Sequence, residues 1–178
     1  MSKIVCPFSC KSSYKKWSEG FGLVEMIVGV SIVTLALLGI ISTFSFYIQT
    51  GQQNVRKIKG MFLMEEGIEV VRSFRDGGWD ANIATLTRDT PYHLFFTGSS
   101  WQATTTPQTI NGLFMRTVTL SDVYRRDSDD DIVASTSPDS KTIDPDTVEV
   151  RVRVTGFAGE RRELVITGST YLADIFNN

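Results

Sequence analysis

From Phe21 to Ile48 the chain is an almost unbroken apolar run in which Glu25 is the single ionisable side chain. About 20 apolar residues span a bilayer core, so the run is long enough to cross a membrane as a helix. A polar stretch from Gln49 to Lys59 follows. Apolar side chains then recur at Met61, Met64, Ile68 and Val71, with Glu65, Glu66, Glu69, Arg72 and Arg75 on the other faces. That spacing places the apolar positions on one side of an amphipathic helix. Gly77-Gly78 supplies a stop. The pattern predicts one long helix from Phe21 to Asp76, apolar all round in its first part and one-sided in its second.

Beyond Gly78 the period changes to two. Val148, Val150, Val152 and Val154 alternate with Thr147, Glu149, Arg151, Arg153 and Thr155, the signature of a half-buried strand. Gly156-Phe157-Ala158-Gly159 reads as a turn and Glu160 to Thr167 as the returning strand. A third strand is expected at Leu113 to Leu120 and a weaker one at Tyr92 to Phe96. The expected fold class is α+β: a long N-terminal hydrophobic helix whose amphipathic half packs on a small antiparallel sheet. The divisions are 1–20, a basic leader; 21–48, a membrane or assembly helix; 49–76, its amphipathic continuation; and 77–178, a β-rich head.

Charge adds direction. Of the 18 basic and 20 acidic residues, the first twenty positions hold Lys3, Lys11, Lys15, Lys16 and Glu19. Lys and Arg resist translocation, so the N-terminus is expected inside and the head outside, although Arg56, Lys57 and Lys59 weaken the bias. Beyond Gly20 remain 14 basic and 19 acidic residues, a balance unfavourable to nonspecific binding of nucleic acid. Cys6 and Cys10 both precede the apolar run, so no disulfide can form within the head and the C-x-x-x-C pair lacks two further metal ligands.

Glu25 constrains the apolar run further. A charge in hydrocarbon costs on the order of 2.5 kcal/mol or more, so such a residue calls for a partner. A cleaved secretory signal has an apolar core of only about 7 to 15 residues and a small-x-small cleavage site, which Ser42-Thr43-Phe44-Ser45 matches poorly. A plain signal anchor fits the length but gives Glu25 no role. The residues Gly20-Phe21-Gly22-Leu23-Val24-Glu25, after a short basic leader and before a long apolar helix, resemble the class III signal of type IV pilins and type II secretion pseudopilins.

That resemblance implies cleavage after Gly20 by a membrane prepilin peptidase, N-methylation of the new N-terminus at Phe21, and assembly through Glu25. The ammonium freed on Phe21 is a cation that Glu25 can pair with, offsetting the desolvation of each ion. It also implies other pilin subunits as partners and residence in the cytoplasmic membrane before assembly. Two features depart from the family pattern. Gly22 stands where Thr is frequent, and there is no Pro between Pro7 and Pro91, leaving Gly29 and Gly39 as the weak points of the span. A second resemblance, to V-type minor pilins, rests on the segment from Met64 to Asp76 with Trp79, and on the valine-rich strand paired with Glu163-Leu164-Val165-Ile166-Thr167 and Tyr171-Leu172.

The head offers little for catalysis. It has one histidine, His93, no cysteine, and no nucleophile-elbow motif, so no enzyme activity and no cofactor are expected. His93 reads as an ordinary strand-edge residue. The run Arg125-Arg126-Asp127-Ser128-Asp129-Asp130-Asp131 places oxygen ligands at alternate positions, which makes Asp127, Asp129 and Asp131 candidate Ca²⁺ ligands. Yet Ile132 occupies the place of the sharp-turn Gly of an EF-type loop, and a solvated hairpin loop is the plainer reading. Two functional classes remain: a structural subunit, of a type IV pilus as a minor component or alternatively of a secretion or competence machine as a pseudopilin, and a membrane-tethered exported binding module using exposed loops such as Thr97 to Thr109.

Overall fold

The computed structural model describes residues 20, 22–156 and 163–175. Leader residues 1–19, with Cys6 and Cys10, Phe21 and most of the expected 156–159 turn lie outside them. The chain forms two compact units, Met1–Ile48 and Gln49–Asn178, and helix α1 (Leu23–Asp76) contributes to both. Within the first unit α1 runs through Gly29 and Gly39 without a break.

In the second unit α1 ends where the sequence placed the stop. Gly77 N–H donates to the Ser73 carbonyl at 3.0 Å, and Gly78 takes φ 123°, a backbone region closed to side-chain-bearing residues. The Asn82 side chain, on the short helix α2 (Trp79–Asn82), donates to the freed carbonyl of Phe74 at 3.1 Å. Seven strands follow: β1 (His93–Phe96), β2 (Trp101–Thr104), β3 (Thr109–Ile110), β4 (Phe114–Arg126), β5 (Ile132–Val133), β6 (Lys141–Gly156) and β7 (Leu164–Ala173). β1 and β2 form a separate hairpin. The main antiparallel sheet has the order β3-β4-β6-β7, with β5 also pairing β4. The fold is α+β, a long helix followed by antiparallel sheets.

The valine alternation settles the core. Val148, Val150, Val152 and Val154 are fully buried against Val118 and Leu120 of β4, Val70 and Val71 of α1, and Ile83. Each buried valine contributes roughly 1.5 kcal/mol or more. The helix face against them differs from the expected stripe, because Met61 is exposed and Gly60 and Gly67 are buried. A Cβ on Gly67 would come within 2.8 Å of Val152 and 3.0 Å of Arg116, and one on Gly60 within 2.7 Å of Ile166. These glycines let the helix backbone settle onto β6 and β7, while Met64 fills the space over Gly168. Hydrophobic periodicity could not find them, since the contact is made by residues with no side chain.

Arg116 sits on the core face of β4, between Phe114 and Val118, and is 3% exposed. Its Nη1 donates to the Leu63 carbonyl at 3.0 Å and lies 3.2 Å from Glu66, while the guanidinium stands 5.4 Å from the Trp101 ring centre. Its Nε has no hydrogen-bond partner among the described residues. Burial lowers the Arg116 pKa, and the charge and hydrogen bond of Glu66 oppose the shift. The guanidinium thus ties helix to sheet across their packed faces. His93, expected at a strand edge, is also buried, with Nδ1 3.1 Å from the Arg116 carbonyl.

Between Asp122 and Val123 the β4–β6 register shifts, and β6 accommodates Pro145, Asp146 and Thr147 as a bulge. A bulge is where a strand tolerates a Pro. Asp144 braces it, accepting from Arg125 Nε at 2.6 Å and from the Asp146 N–H at 3.0 Å. Burial raises the Asp144 pKa, but hydrogen bonds from Arg125, Thr147 and Asp146, with the Arg125 charge, prevail and hold it below the ordinary value.

Two outcomes follow for the full-length chain in detergent, monitored by near-UV circular dichroism during denaturation. Glu66 is 42% exposed and its partner is not, so losing the carboxylate strands a buried cation, whereas losing the cation leaves an acid at the surface. Glu66→Ala is therefore expected to destabilise the fold more than Arg116→Met; the reverse order would show that the ion pair does not govern this contact. The second outcome concerns pH. A lowered Asp144 pKa contributes stability above the unfolded value of about 3.9 and loses it as pH falls through the folded value. Asp144→Asn is expected to be less stable than the parent at pH 7, with the gap closing below about pH 4.

Candidate functional site

The candidate site is the start of α1 and the apolar surface that follows. Gly20 and Gly22 precede the helix with open space around each, and Met26 N–H closes the first turn by donating to the Gly22 carbonyl at 3.1 Å. Phe21, between them, lies outside the described residues. Glu25 falls in the first helical turn, where a negative charge is favoured by the N-terminal end of the helix dipole. Its side chain is exposed, and it enters no ion pair among the described residues.

Below Glu25 the helix is apolar on every face. An 18-residue window reaches a mean hydropathy of 2.5 with none of it buried within the chain, so by length and composition α1 is a candidate membrane span. Four of its hydroxyls are satisfied internally: Ser31, Thr34, Ser42 and Thr43 each donate to the carbonyl four residues earlier, at 2.7 to 2.9 Å. Such back-bonding leaves those four hydrogens no need of water, which suits an apolar solvent. Ala36, Gly39 and Thr43 form a shallow notch bordered by Ile40, Phe44 and Tyr47. The spacing of these small residues was the available sequence signal, and only the helix geometry gathers them on one flank.

The acidic run lies at the turn between β4 and β5. Asp130 takes φ 59°, a left-handed turn conformation that Asp tolerates, and its N–H donates to the Arg126 carbonyl at 2.9 Å. The three candidate calcium ligands do not converge. Asp129 is held by Arg126 at 2.8 Å, Asp127 accepts from Ser140, and Asp131 donates its backbone N–H to Asp129 at 3.3 Å. Arg126 also pairs with Asp139 at 3.0 Å. The Asp129 charge raises the Arg126 pKa, with slight burial opposing and Asp139 assisting. Among the described residues no three His, Cys, Asp or Glu side chains group as metal ligands.

The 97–109 stretch is less open than a single exposed loop, because it contains β2 and reaches β3. Beside β2 lies a depression of about 280 Å³ lined by Phe74, Ala81, Asn82, Thr85, Leu86, Trp101, Gln102 and Ala103. It falls just under the usual range of ligand pockets, and no ionisable side chain lines it. Acid–base chemistry therefore has no group to act through there. In comparisons with known proteins, no family model matches the chain, and no curated protein or solved structure matches it either.

Proposed function

We propose that this chain is a prepilin: a membrane-inserted precursor cleaved after Gly20, N-methylated at Phe21, and assembled as a minor structural subunit of a type IV pilus. The observation that carries the reading is the conjunction at the start of α1. One carboxylate, Glu25, stands in the first turn of a helix that is otherwise uncharged through Ile48 and wholly exposed within its own unit. A solvent-exposed helix of this composition needs hydrocarbon or other helices around it. Residence first in the cytoplasmic membrane, N-terminus inside, and later in a filament core supplies both.

Glu25 then acquires a role. Cleavage at Gly20 creates the Phe21 ammonium, and pairing it with Glu25 of a neighbouring subunit turns an isolated buried charge into a neutral contact. The notch at Ala36, Gly39 and Thr43 supports the same reading, since small residues let helices approach closely in a lipid-like environment. The head is structural in this proposal, and neither catalysis nor a cofactor enters it. The same helix would serve a pseudopilin of a secretion or competence machine; the pilus reading rests on the resemblance of the 64–76 segment and the valine-rich strand to V-type minor pilins.

Mass spectrometry of the mature N-terminal peptide tests the pathway. The expected species begins at methylated Phe21, whereas an intact Met1 or a cut near Thr43 rejects it. Glu25→Ala is expected to be processed normally yet to be depleted from sheared filaments. Breaking a buried ion pair costs about 3–5 kcal/mol, so the depletion is expected to reach at least roughly two orders of magnitude. Incorporation of that variant at the parent level would remove Glu25 from the assembly role.

A further inference from the structure

The depression of about 280 Å³ beside β2 is lined without a charged side chain, although the unit around it is rich in Arg, Asp and Glu. Aromatic carbon and neutral polar groups line it instead. Phe74 and Trp101 supply the first, and Asn82, Thr85 and Gln102 the second. Two contacts hold the Trp101 ring in place: the Arg116 guanidinium stands 5.4 Å from its centre, and the Phe96 ring lies 5.5 Å away at a 55° tilt. The wall it makes is therefore fixed before any ligand arrives.

The hydrogen bonds already made settle what the polar groups still offer. Asn82 Nδ2 donates to the Phe74 carbonyl at 3.1 Å, a role only the amide nitrogen can fill, so its Oδ1 is set as an acceptor. Thr85 Oγ1 donates to the Ala81 carbonyl at 3.1 Å and keeps its lone pairs. Gln102 is exposed, and its amide has no hydrogen-bond partner among the described residues. It brings donors and an acceptor together. An anion would find no cation in this lining, a cation would find no carboxylate, and a wholly apolar molecule would strip water from the polar groups without replacing it. A sugar hydroxyl donates and accepts at once, and the C–H face of its ring can lie against aromatic carbon.

We propose that this depression binds one uncharged pyranose ring of a saccharide, with Phe74 and Trp101 against its C–H face and Asn82, Thr85 and Gln102 at its hydroxyls. Drug-sized ligands occupy sites of about 300 Å³ and more, so the volume suits a single ring. Ala81, Thr85 and Gln102 are exposed, which leaves the neighbouring sugars of a longer chain room to continue into solvent. So small a contact gives weak affinity, about millimolar for one ring. The site belongs wholly to the Gln49–Asn178 unit and adds a binding role to the head that the proposed assembly does not require.

The test is saturation-transfer NMR on the full-length chain in dodecylphosphocholine, a detergent without a sugar headgroup, with the methyl glycosides of glucose, galactose and mannose as probes. At least one is expected to receive saturation at its ring C–H protons, with a Kd of about 1 mM. Thr85→Ala/Gln102→Ala alters exposed side chains only and is expected to weaken that binding about tenfold, each lost hydrogen bond removing a factor of a few. Thr167→Ala on β7 is expected to bind as the parent does, and near-UV circular dichroism verifies that both variants are folded. Neither inorganic phosphate nor the open-chain polyol sorbitol is expected to compete. The proposal is overturned if none of the glycosides binds, if the double variant binds like the parent, if Thr167→Ala weakens binding equally, or if phosphate or sorbitol displaces the glycoside.

Discussion

The second unit depends on how closely α1 can approach the sheet. Gly60 and Gly67 remove the side chains that would hold the helix off, and Ile166 and Val152 occupy the space so released. Interior packing leaves few voids, so this approach also decides which other helix positions touch the sheet. Val70 and Val71 are buried as a result, and Met61 is turned outward. A side chain at Gly67 would displace Val152 and Arg116 together, disturbing a central strand and the buried cation of the core face at once.

Arg116 belongs to the same contact. A core strand position would ordinarily hold a valine, and β4 has valine or leucine at the two following inward positions, Val118 and Leu120. A guanidinium there is tolerable because the helix brings it an acceptor at Leu63, a carboxylate at Glu66 and, from β2, the face of Trp101. Two of those come from one turn of the helix and the third from a strand some 35 residues further along the chain. The pair does more to define the rotation and height of the helix than to add net stability, since two charges taken from water recover little beyond their desolvation cost. Buried His93, joined to the Arg116 carbonyl, extends the polar contact to the β1–β2 hairpin.

The first unit obeys the opposite rule. From Leu23 to Ile48 the helix buries nothing within its unit, and the hydroxyls of Ser31, Thr34, Ser42 and Thr43 turn back onto its own carbonyls. The helix is thus suited to an apolar surrounding supplied from outside the chain. Glu25 is the exception, and its usefulness under the proposed function depends on a covalent event that creates its counter-ion. One helix therefore combines a segment completed by its own sheet with a segment completed by something else.

Much of this was legible in residue order. An uncharged run of this length admits few environments, the Gly77-Gly78 pair ends the helix, and the valine alternation has one strand register that buries it. Those are local or periodic signals, and the proposed cleavage motif with Glu25 is likewise a matter of adjacent residues. Tertiary structure decided what periodicity cannot encode. Gly60 and Gly67 carry no hydrophobic signal, and Arg116 reads as a surface residue until Leu63, Glu66 and Trp101 surround it. The acidic run looked like alternating ligands, but Arg126 and Ser140 claim two of its carboxylates. That β7 ends the sheet order among the described residues is invisible in its own sequence, because whether a strand lies at an edge is settled by what the rest of the chain places beside it.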